Sequence, residues 1–453
     1  MEESASMEIQ LATAPINNED QNTQKDANIS GGNESKYDDL VIELRRMVER
    51  PEIQSSTECH IYKVPHYLRK WNEEAYTPKV ISIGPIHHGN KRLEVMEKYK
   101  ERHFRGFVKR SKINLDYLVD RVREMEESIR RCYEITIDLS SDRFVKMILM
   151  DVSFILELFF RRSKLWTSDD MFVLQRANHI MLDLLLFENQ LPFSVIVELY
   201  QLAFPSSLDY NGLLELSFDY FDCFFWQYIV LHPNMKIKHF TDLLRTCQIP
   251  PPEKLGTREG NHLLIRCSYS ATQLYQAGVK FEVGNSVSHF DVKFKNGVLK
   301  LPSLELSDLT EVVIRNIMAL EQLHYINDPY YTDYFLFLAS LIRTGKDVDL
   351  LCDKNILVNY LGDSYAAESL IRNLNGGIVY LSVSVDYVVL SSDLNSFCKN
   401  SWNKWRGLLV RTYFTSSSDF IYVVHNILIM TLLTIIQTVC SIIQVGGPIS
   451  KPK

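Results

Sequence analysis

The sequence predicts a mainly α-helical protein with a multi-helix globular body, a small β-hairpin or sheet insertion, and one C-terminal transmembrane helix. Three observations predict this class. Apolar residues recur with helical spacing along most of the 453-residue chain, a stretch near residue 290 alternates instead, and the last long segment carries no charge. With 46% hydrophobic and 11% aromatic residues, the chain has enough apolar side chains for a substantial core.

The last long segment, Phe420–Val445, spans 26 residues without one Asp, Glu, Lys or Arg. As a helix it would be about 39 Å long, more than a hydrocarbon core of about 30 Å. Two glycines and Pro448 follow it, which leaves a short tail over residues 446–453. We interpret the segment as a single-pass membrane anchor. The alternative is a long helix buried in the core of a soluble protein.

This segment carries three amides on one face. At 100° per residue, Asn426, Gln437 and Gln444 fall within about 20° of one another. Amides in lipid seek partners on other helices, at about 1 kcal/mol per contact. The stripe therefore predicts self-association of the transmembrane helix, or contact with a partner helix. The alternative is that each amide bonds its own backbone or a lipid headgroup.

Residues 1–36 are predicted to be a disordered acidic leader. The first 35 residues hold seven acids, one Lys and no aromatic residue, so most of the net charge of −7 lies there. The leader lacks the basic start and apolar run of a signal peptide. We therefore expect a tail-anchored protein, with a helical domain over 37–415 in the cytosol and the membrane helix at 420–445.

Within the domain, periodicity predicts helices and turn signals predict a hairpin. The segments Val279–Val283, His289–Phe294 and Val298–Leu301 alternate like strands, and Asn-Gly at 296–297 is a typical hairpin turn. Residues 378–390 also alternate, and three prolines suggest a sub-boundary near 250–260. Helices are predicted over 37–50, 91–112, 115–132, 144–160, 179–204 with a break at Pro192, 218–231, 310–326 and 331–344.

Histidines are densest in a proline-punctuated stretch, with His60 and His66 followed by His87 and His88. A metal site needs three or four converging ligands, and adjacent residues rarely bind one ion. We favour a tight turn in which the imidazoles bond backbone or solvent. Gly84, Pro85 and Gly89 are expected to fix this turn, and Pro65 is one of the prolines that make the stretch loop-like.

Three acids lie in apolar helical segments: Asp151, Asp183 and Glu188. A buried pair of carboxylates could perform general acid–base catalysis. Buried acids are more often paired with cations or helix ends. Glu188-Asn189-Gln190, just before Leu191-Pro192, is expected to close a helix end with its side chains.

Other classes of site find little support. The eight cysteines form no CxxC pair, which favours reduced thiols over a disulfide frame or a zinc site. No phosphate-binding, dinucleotide, metalloprotease or kinase motif occurs, so no cofactor is predicted. The segment 91–112 has nine Lys or Arg against three Glu and predicts either contact with anionic lipid or a solvated face. Nucleic acid is not expected, because the body is about neutral.

Six motifs occur in a fixed order along the chain: IYKVPHYLR through LEVMEKYK (61–100), LLLFENQLPF (184–193), SATQLYQAGVKF (270–281), FDVKFKNGVLKLPSLELSD (290–308), EVVIRNIMALEQ (311–322) and WNKWRGLL (402–409). Together they resemble the plant family known as domain of unknown function 247, over roughly residues 40–445. The sequence departs from the family at Val152-Ser153, where members often have Gly-Cys. It also departs at 417–419, where Ser-Ser-Asp replaces Asn-Pro-Trp and puts a shared juxtamembrane turn in doubt.

The resemblance implies a direction for function. The family has no established catalytic activity, its members are described as associated with the plasma membrane, and some are encoded at grass self-incompatibility loci, where partner recognition is the proposed role. It also implies a helix over 378–390, against the alternation there.

Two functions follow as hypotheses. The first is a non-enzymatic, membrane-anchored recognition or scaffold protein that binds a protein or peptide partner. The alternative is a membrane-tethered, hydrolase-like enzyme that uses the buried acids or histidines. Convergence of His87, His88, Asp151 and Glu188 on one solvent-reaching cleft would favour the enzyme, whereas separate pairing of the acids would favour the first hypothesis.

Overall fold

The computed structural model describes two compact units, residues 1–56 and 57–453. In the first unit, helix α1 (Glu34–Glu49) exposes Leu40, Leu44 and Val48, and most of the predicted leader lies outside the described residues. The described residues are 34–49, 58–162, 173, 175–205, 210–224, 235–250, 258–260, 265–284, 290–380, 382–400 and 417–445.

The first half of the larger unit is helical. Its centre is α5 (Ser141–Arg162), which is buried from Phe144 to Phe159 except at Lys146. Helices α3 (Glu94–Ser111) and α4 (Leu115–Arg131) pack against it. This agrees with the run of apolar residues that predicted a core helix over 144–160. The helices are α2 (His66–Arg69), α3 (Glu94–Ser111), α4 (Leu115–Arg131), α5 (Ser141–Arg162), α6 (Ala177–Asp183), α7 (Phe193–Ala203), α8 (Tyr210–Tyr220) and α9 (Phe240–Thr246).

The second half adds short strands between helices. The described strands are β1 (Arg258–Gly260), β2 (Lys280–Val283), β3 (Lys293–Lys295), β4 (Val298–Leu301), β5 (Leu304–Leu306), β6 (Leu357–Asn359) and β7 (Ser382–Ser384). The described helices are α10 (Ala271–Gln276), α11 (Asp308–Leu323), α12 (Tyr330–Leu341), α13 (Gly345–Asp353), α14 (Ser364–Leu374) and α15 (Val385–Lys399). The last helix, α16, spans Ser417–Val445.

The predicted hairpin is present. Strand β3 pairs antiparallel with β4 in the register Phe294–Leu299, and β2 joins β4 in parallel. Asn296 and Gly297 have φ of 54° and 76°, which is the backbone of a type I′ turn. The other described strands form two-stranded sheets, β1 with β7 and β5 with β6.

Two predicted elements need correction. The segment 378–390 is not one strand, because among its described residues only Ser382–Ser384 pairs and a helix begins at Val385. Buried residues at Tyr387, Leu390, Leu394 and Cys398 have helical spacing, and half of that pattern lies beyond the alternating stretch. The helix expected over 218–231 instead begins at Tyr210 and ends at Tyr220, and residues 225–234 lie outside the described part.

Candidate functional site

A buried loop between α6 and α7 brings together most of the predicted site residues. Residues 183–190, which we name the polar loop, are all buried. Loops usually lie at the surface because their backbone groups need water. Here polar side chains take the place of water, and Pro192 then precedes the first turn of α7.

Asp183 holds three consecutive backbone amides of the stretch before Gly84. Its Oδ2 accepts hydrogen bonds from the N–H groups of Val80 at 2.7 Å and Ile81 at 2.9 Å, and its Oδ1 accepts one from Lys79 at 2.9 Å. Burial raises the pKa of Asp183 to about 6, although these amide bonds favour the carboxylate. The acid is therefore an anchor for the extended segment 79–81.

Asn189 extends the same attachment and closes α6. Its Oδ1 accepts from the N–H of Ile83 at 2.7 Å, while its Nδ2 donates to the carbonyls of Ile81 at 3.0 Å and Asp183 at 2.9 Å. All of these groups are buried, so the single side chain of Asn189 forms hydrogen bonds with backbone groups of the segment 81–83 and of the end of α6.

Gln190 connects the polar loop to α9. Its Nε2 donates to the carbonyls of Leu184 and Leu186, both at 2.7 Å, and its Oε1 accepts from the N–H of Phe240 at 3.0 Å. Its own carbonyl accepts from the hydroxyl of Tyr133 at 2.8 Å. Together, Asn189 and Gln190 donate to the carbonyls of Asp183, Leu184 and Leu186, which lie at the end of α6 and just after it.

Glu188 is 1% exposed and has three partners. It accepts from the N–H of Val64 at 2.6 Å, pairs with the guanidinium of Arg69, and lies 3.1 Å from the Nε2 of His87. Burial alone would raise the pKa of Glu188, but the bonds from His87 and Arg69 outweigh burial and lower it. The half-buried His87 thus binds an acid, whereas its neighbour His88 is exposed.

Asp151 forms a separate buried pair with Lys100. Its Oδ1 lies 2.7 Å from the Lys100 ammonium, and its Oδ2 accepts from the N–H of Gly84 at 2.8 Å. Burial opposes the charged ammonium, but the carboxylates of Asp151 and Glu97 raise the pKa of Lys100 above its ordinary value. Gly84 has φ +71°, and a Cβ there would meet the carbonyl oxygen of Gln190 at 2.4 Å.

The structure therefore disperses the predicted catalytic groups into separate pairs. Glu188 meets His87, Asp151 meets Lys100, and both acids are 1% exposed. His60 is buried beside His239, with ring centroids 5.9 Å apart, and His66 is exposed at the start of α2, which Pro65 precedes. Within the described residues, no group of three or more His, Cys, Asp or Glu is placed to hold a metal ion.

Sequence reasoning missed Lys100 and Asn316. Lys100 is completely buried, and its position four residues after Met96 and seven before Phe107, on the apolar face of α3, was the available signal. Asn316 accepts from the N–H of Phe187 at 2.8 Å and donates to the carbonyl of Ala75 at 2.7 Å. No sequence pattern marks these two contacts, because they join segments 129 and 241 residues apart.

Helix α16 is apolar and exposed, in contrast to the buried polar loop. Its window His425–Ile443 is 19 residues long, apolar enough to cross a membrane, and 0% buried. At 1.5 Å per residue the window is about 28 Å long. The alternative of a buried core helix is therefore wrong. Asn426 and Gln437 are both exposed on this helix, and the side chain of Gln444 lies outside the described part.

A groove runs between α3, α4 and α5. Its volume is about 570 Å³. Apolar side chains, including Phe104, Val119 and Leu149, line it, while Arg123 and Asp142 at its rim pair with each other at 2.6 Å. We name it the α3–α5 groove.

The fold and these sites define a mainly helical domain followed by a long exposed apolar helix. The chain belongs to the family described as a plant protein of unknown function, domain of unknown function 247, whose model matches residues 61–432. This confirms the resemblance seen in the motifs.

Two relatives from Arabidopsis thaliana are similar over most of their length. UPF0481 protein At3g47200 is 27% identical over 424 residues, covering 85% of this chain and 87% of the relative. Putative UPF0481 protein At3g02645 is 22% identical over 474 residues, covering 83% and 89%. No solved structure matches the chain.

Proposed function

We propose that the chain is a non-enzymatic, membrane-anchored recognition or scaffold protein at the plasma membrane, whose helical body binds a protein or peptide partner. The observation that carries the proposal is α16, whose apolar side chains are all exposed over His425–Ile443. An uncovered apolar surface of this size is unfavourable in water, and a hydrocarbon core of about 30 Å would cover it.

The pairing of the acids supports a non-enzymatic body. A general acid or base must reach a substrate, but the carboxylates of Asp151, Asp183 and Glu188 are buried and engaged by backbone amides or cations. The same contacts join the segment 64–84 to α5 and to the polar loop. Their role in holding the fold accounts for the polar residues that motivated the hydrolase-like alternative.

The α3–α5 groove supports partner binding. An apolar floor with charged groups at its rim suits an amphipathic helix or extended peptide that presents one apolar face. Lys146 is exposed at the rim and favours an acidic residue next to that apolar face.

The anchor is tested first, with sealed microsomes and an N-terminal tag. We expect the full chain to stay in the pellet after alkaline carbonate extraction and the tag to be digested by added protease. A chain that ends after residue 416 serves as the control and should be released. Carbonate extraction of the full chain would refute the anchor, and a protected tag would place the body on the other side of the membrane.

The groove is tested by photo-crosslinking in plant membranes. A photoreactive amino acid at Lys146, at the rim of the groove, should give a discrete adduct that disappears with Val119→Asp. The same amino acid at Lys280, exposed on β2, is the matched control and should not give that adduct. Identical adducts at both positions, or none at Lys146, would reject the groove as the binding surface.

A further inference from the structure

Polar side chains on α16 fall into two classes. The hydroxyls of Thr431, Thr434 and Thr438 donate to backbone carbonyls three or four residues earlier, at 2.9, 2.7 and 2.7 Å. They are satisfied within the helix. Asn426 and Gln437 are exposed, and among the described residues neither amide has a protein partner.

The two amides lie at different depths along the window, and this step rests on the proposed anchoring. Gln437 is twelve residues after His425, or about 18 Å, which places it about 5 Å from the centre of the window. Asn426 is next to the end of the window, where water and headgroups are available. Gln437 is therefore the amide that lipid leaves unsatisfied.

We propose that Gln437 binds the same residue of a second copy, so that the protein self-associates through α16. A carboxamide donates and accepts at once, and two copies inserted in the same direction place their Gln437 side chains at the same depth. Reciprocal hydrogen bonds then satisfy both. A different partner helix would need its own polar group at this depth.

The position of Asn426 agrees with a parallel pair. Eleven residues separate it from Gln437, which is three turns of helix and a rotation of only about 20°. The two amides thus lie on one line along the helix axis, with Met430 and Leu433 between them on the same face. A second copy that pairs Gln437 brings the same apolar side chains and Asn426 into contact as well.

The test measures self-association of the full chain in vesicles of neutral phospholipid, by energy transfer between donor- and acceptor-labelled copies at increasing protein density. Gln437→Leu should weaken the dimer about tenfold. Thr438→Val is the matched control, since it removes a hydroxyl at nearly the same depth that its own backbone satisfies. We expect this control to stay within about twofold of the wild type, and Gln437→Asn to retain part of the association.

Each outcome decides the matter. A monomeric wild type at every density, or a Gln437→Leu chain that associates like the wild type, would overturn the pairing. An equal loss in Thr438→Val would show that general packing and not the amide joins the helices. Carbonate extraction of every sample separates the two proposals, because release of the wild type would refute the anchor itself, whereas a retained but monomeric chain refutes only the self-association.

Discussion

The polar loop and α16 place their side chains in opposite ways. In the polar loop, hydrophilic side chains lie inside the protein, and Asp183, Glu188 and Asn189 each bind several protein groups. In α16, hydrophobic side chains lie outside and nothing described in the chain covers them; Ile435, for example, is 62% exposed.

The two regions differ in what satisfies their side chains: groups of the same chain in the polar loop, and other molecules at α16. Every bond of the polar loop comes from the same chain, so its residues report on folding. The apolar surface of α16 and the amide of Gln437 need lipid or a second helix, so they report on location and partners. Substitutions in one region should therefore leave the property of the other region unchanged.

A large effect is expected for Asp151→Ala. It removes one of the two carboxylates that lie 2.7 Å from the fully buried Lys100, the one that is itself buried, and leaves the N–H of Gly84 without its acceptor. Breaking one side of a buried pair costs about 4 kcal/mol. Urea denaturation of the full chain in mild detergent, followed by circular dichroism, should show this loss. Asp142→Ala, in an exposed pair with Arg123, should change stability by less than about 1 kcal/mol.

A charged side chain in α16 should reduce the retention of the protein in membranes. Ile435→Lys places an ammonium near the centre of the apolar window, at about 3 kcal/mol against insertion. We expect release from the pellet after carbonate extraction, while urea denaturation of the body matches the wild type. Ile435→Leu is the control and should stay in the pellet. A lysine variant that unfolds the body would show that α16 belongs to the core.

Periodicity in the sequence predicted the helices better than it predicted the contacts between segments. Helical spacing located α3, α4, α5 and α11 to within a few residues, because each buries one stripe on its neighbours, and Asn296-Gly297 located the hairpin through its turn geometry. The partners of the polar loop could not be predicted, since Val80, Asn316 and Phe240 are far from it in sequence. The burial of Lys100 could have been predicted, because its position places a charge on the apolar face of α3.

Close packing at Gly84 can be separated from its backbone conformation. Gly84 and Gly89 have similar φ values of +71° and +79°, but a Cβ would meet the Gln190 carbonyl oxygen at 2.4 Å only at Gly84, and nothing within 4 Å at Gly89. Both alanine variants incur about 1 kcal/mol of conformational strain. We expect Gly84→Ala to lose about 2 kcal/mol more in urea denaturation. Equal losses would mean that the polar loop moves away without penalty.

Stability should also depend on pH, because His60 and His239 are buried in the body. Burial lowers the pKa of both His60 and His239 to about 3, and Lys238 and His324 act in the same direction at both. Asp242 opposes this shift at His60, and a backbone hydrogen bond with His60 opposes it at His239. The unfolded chain binds these protons near its ordinary pKa of about 6.5. Stability from the neutral imidazoles is therefore full above about pH 6.5 and falls as the pH drops towards 3, by up to about 1.4 kcal/mol per pH unit for each residue.

His239→Asn isolates one of these two contributions. His239 accepts from the N–H of Asp242 at the start of α9, and asparagine also caps helices well, so the fold should persist while one titrating group is lost. Denaturation between about pH 7 and pH 4.5 should show a shallower loss of stability for this variant than for the wild type. Exposed His88→Gln should keep the wild-type slope. A His239→Asn slope equal to the wild type would place the acid sensitivity in the paired carboxylates instead, which would tie it to Glu188 and the polar loop.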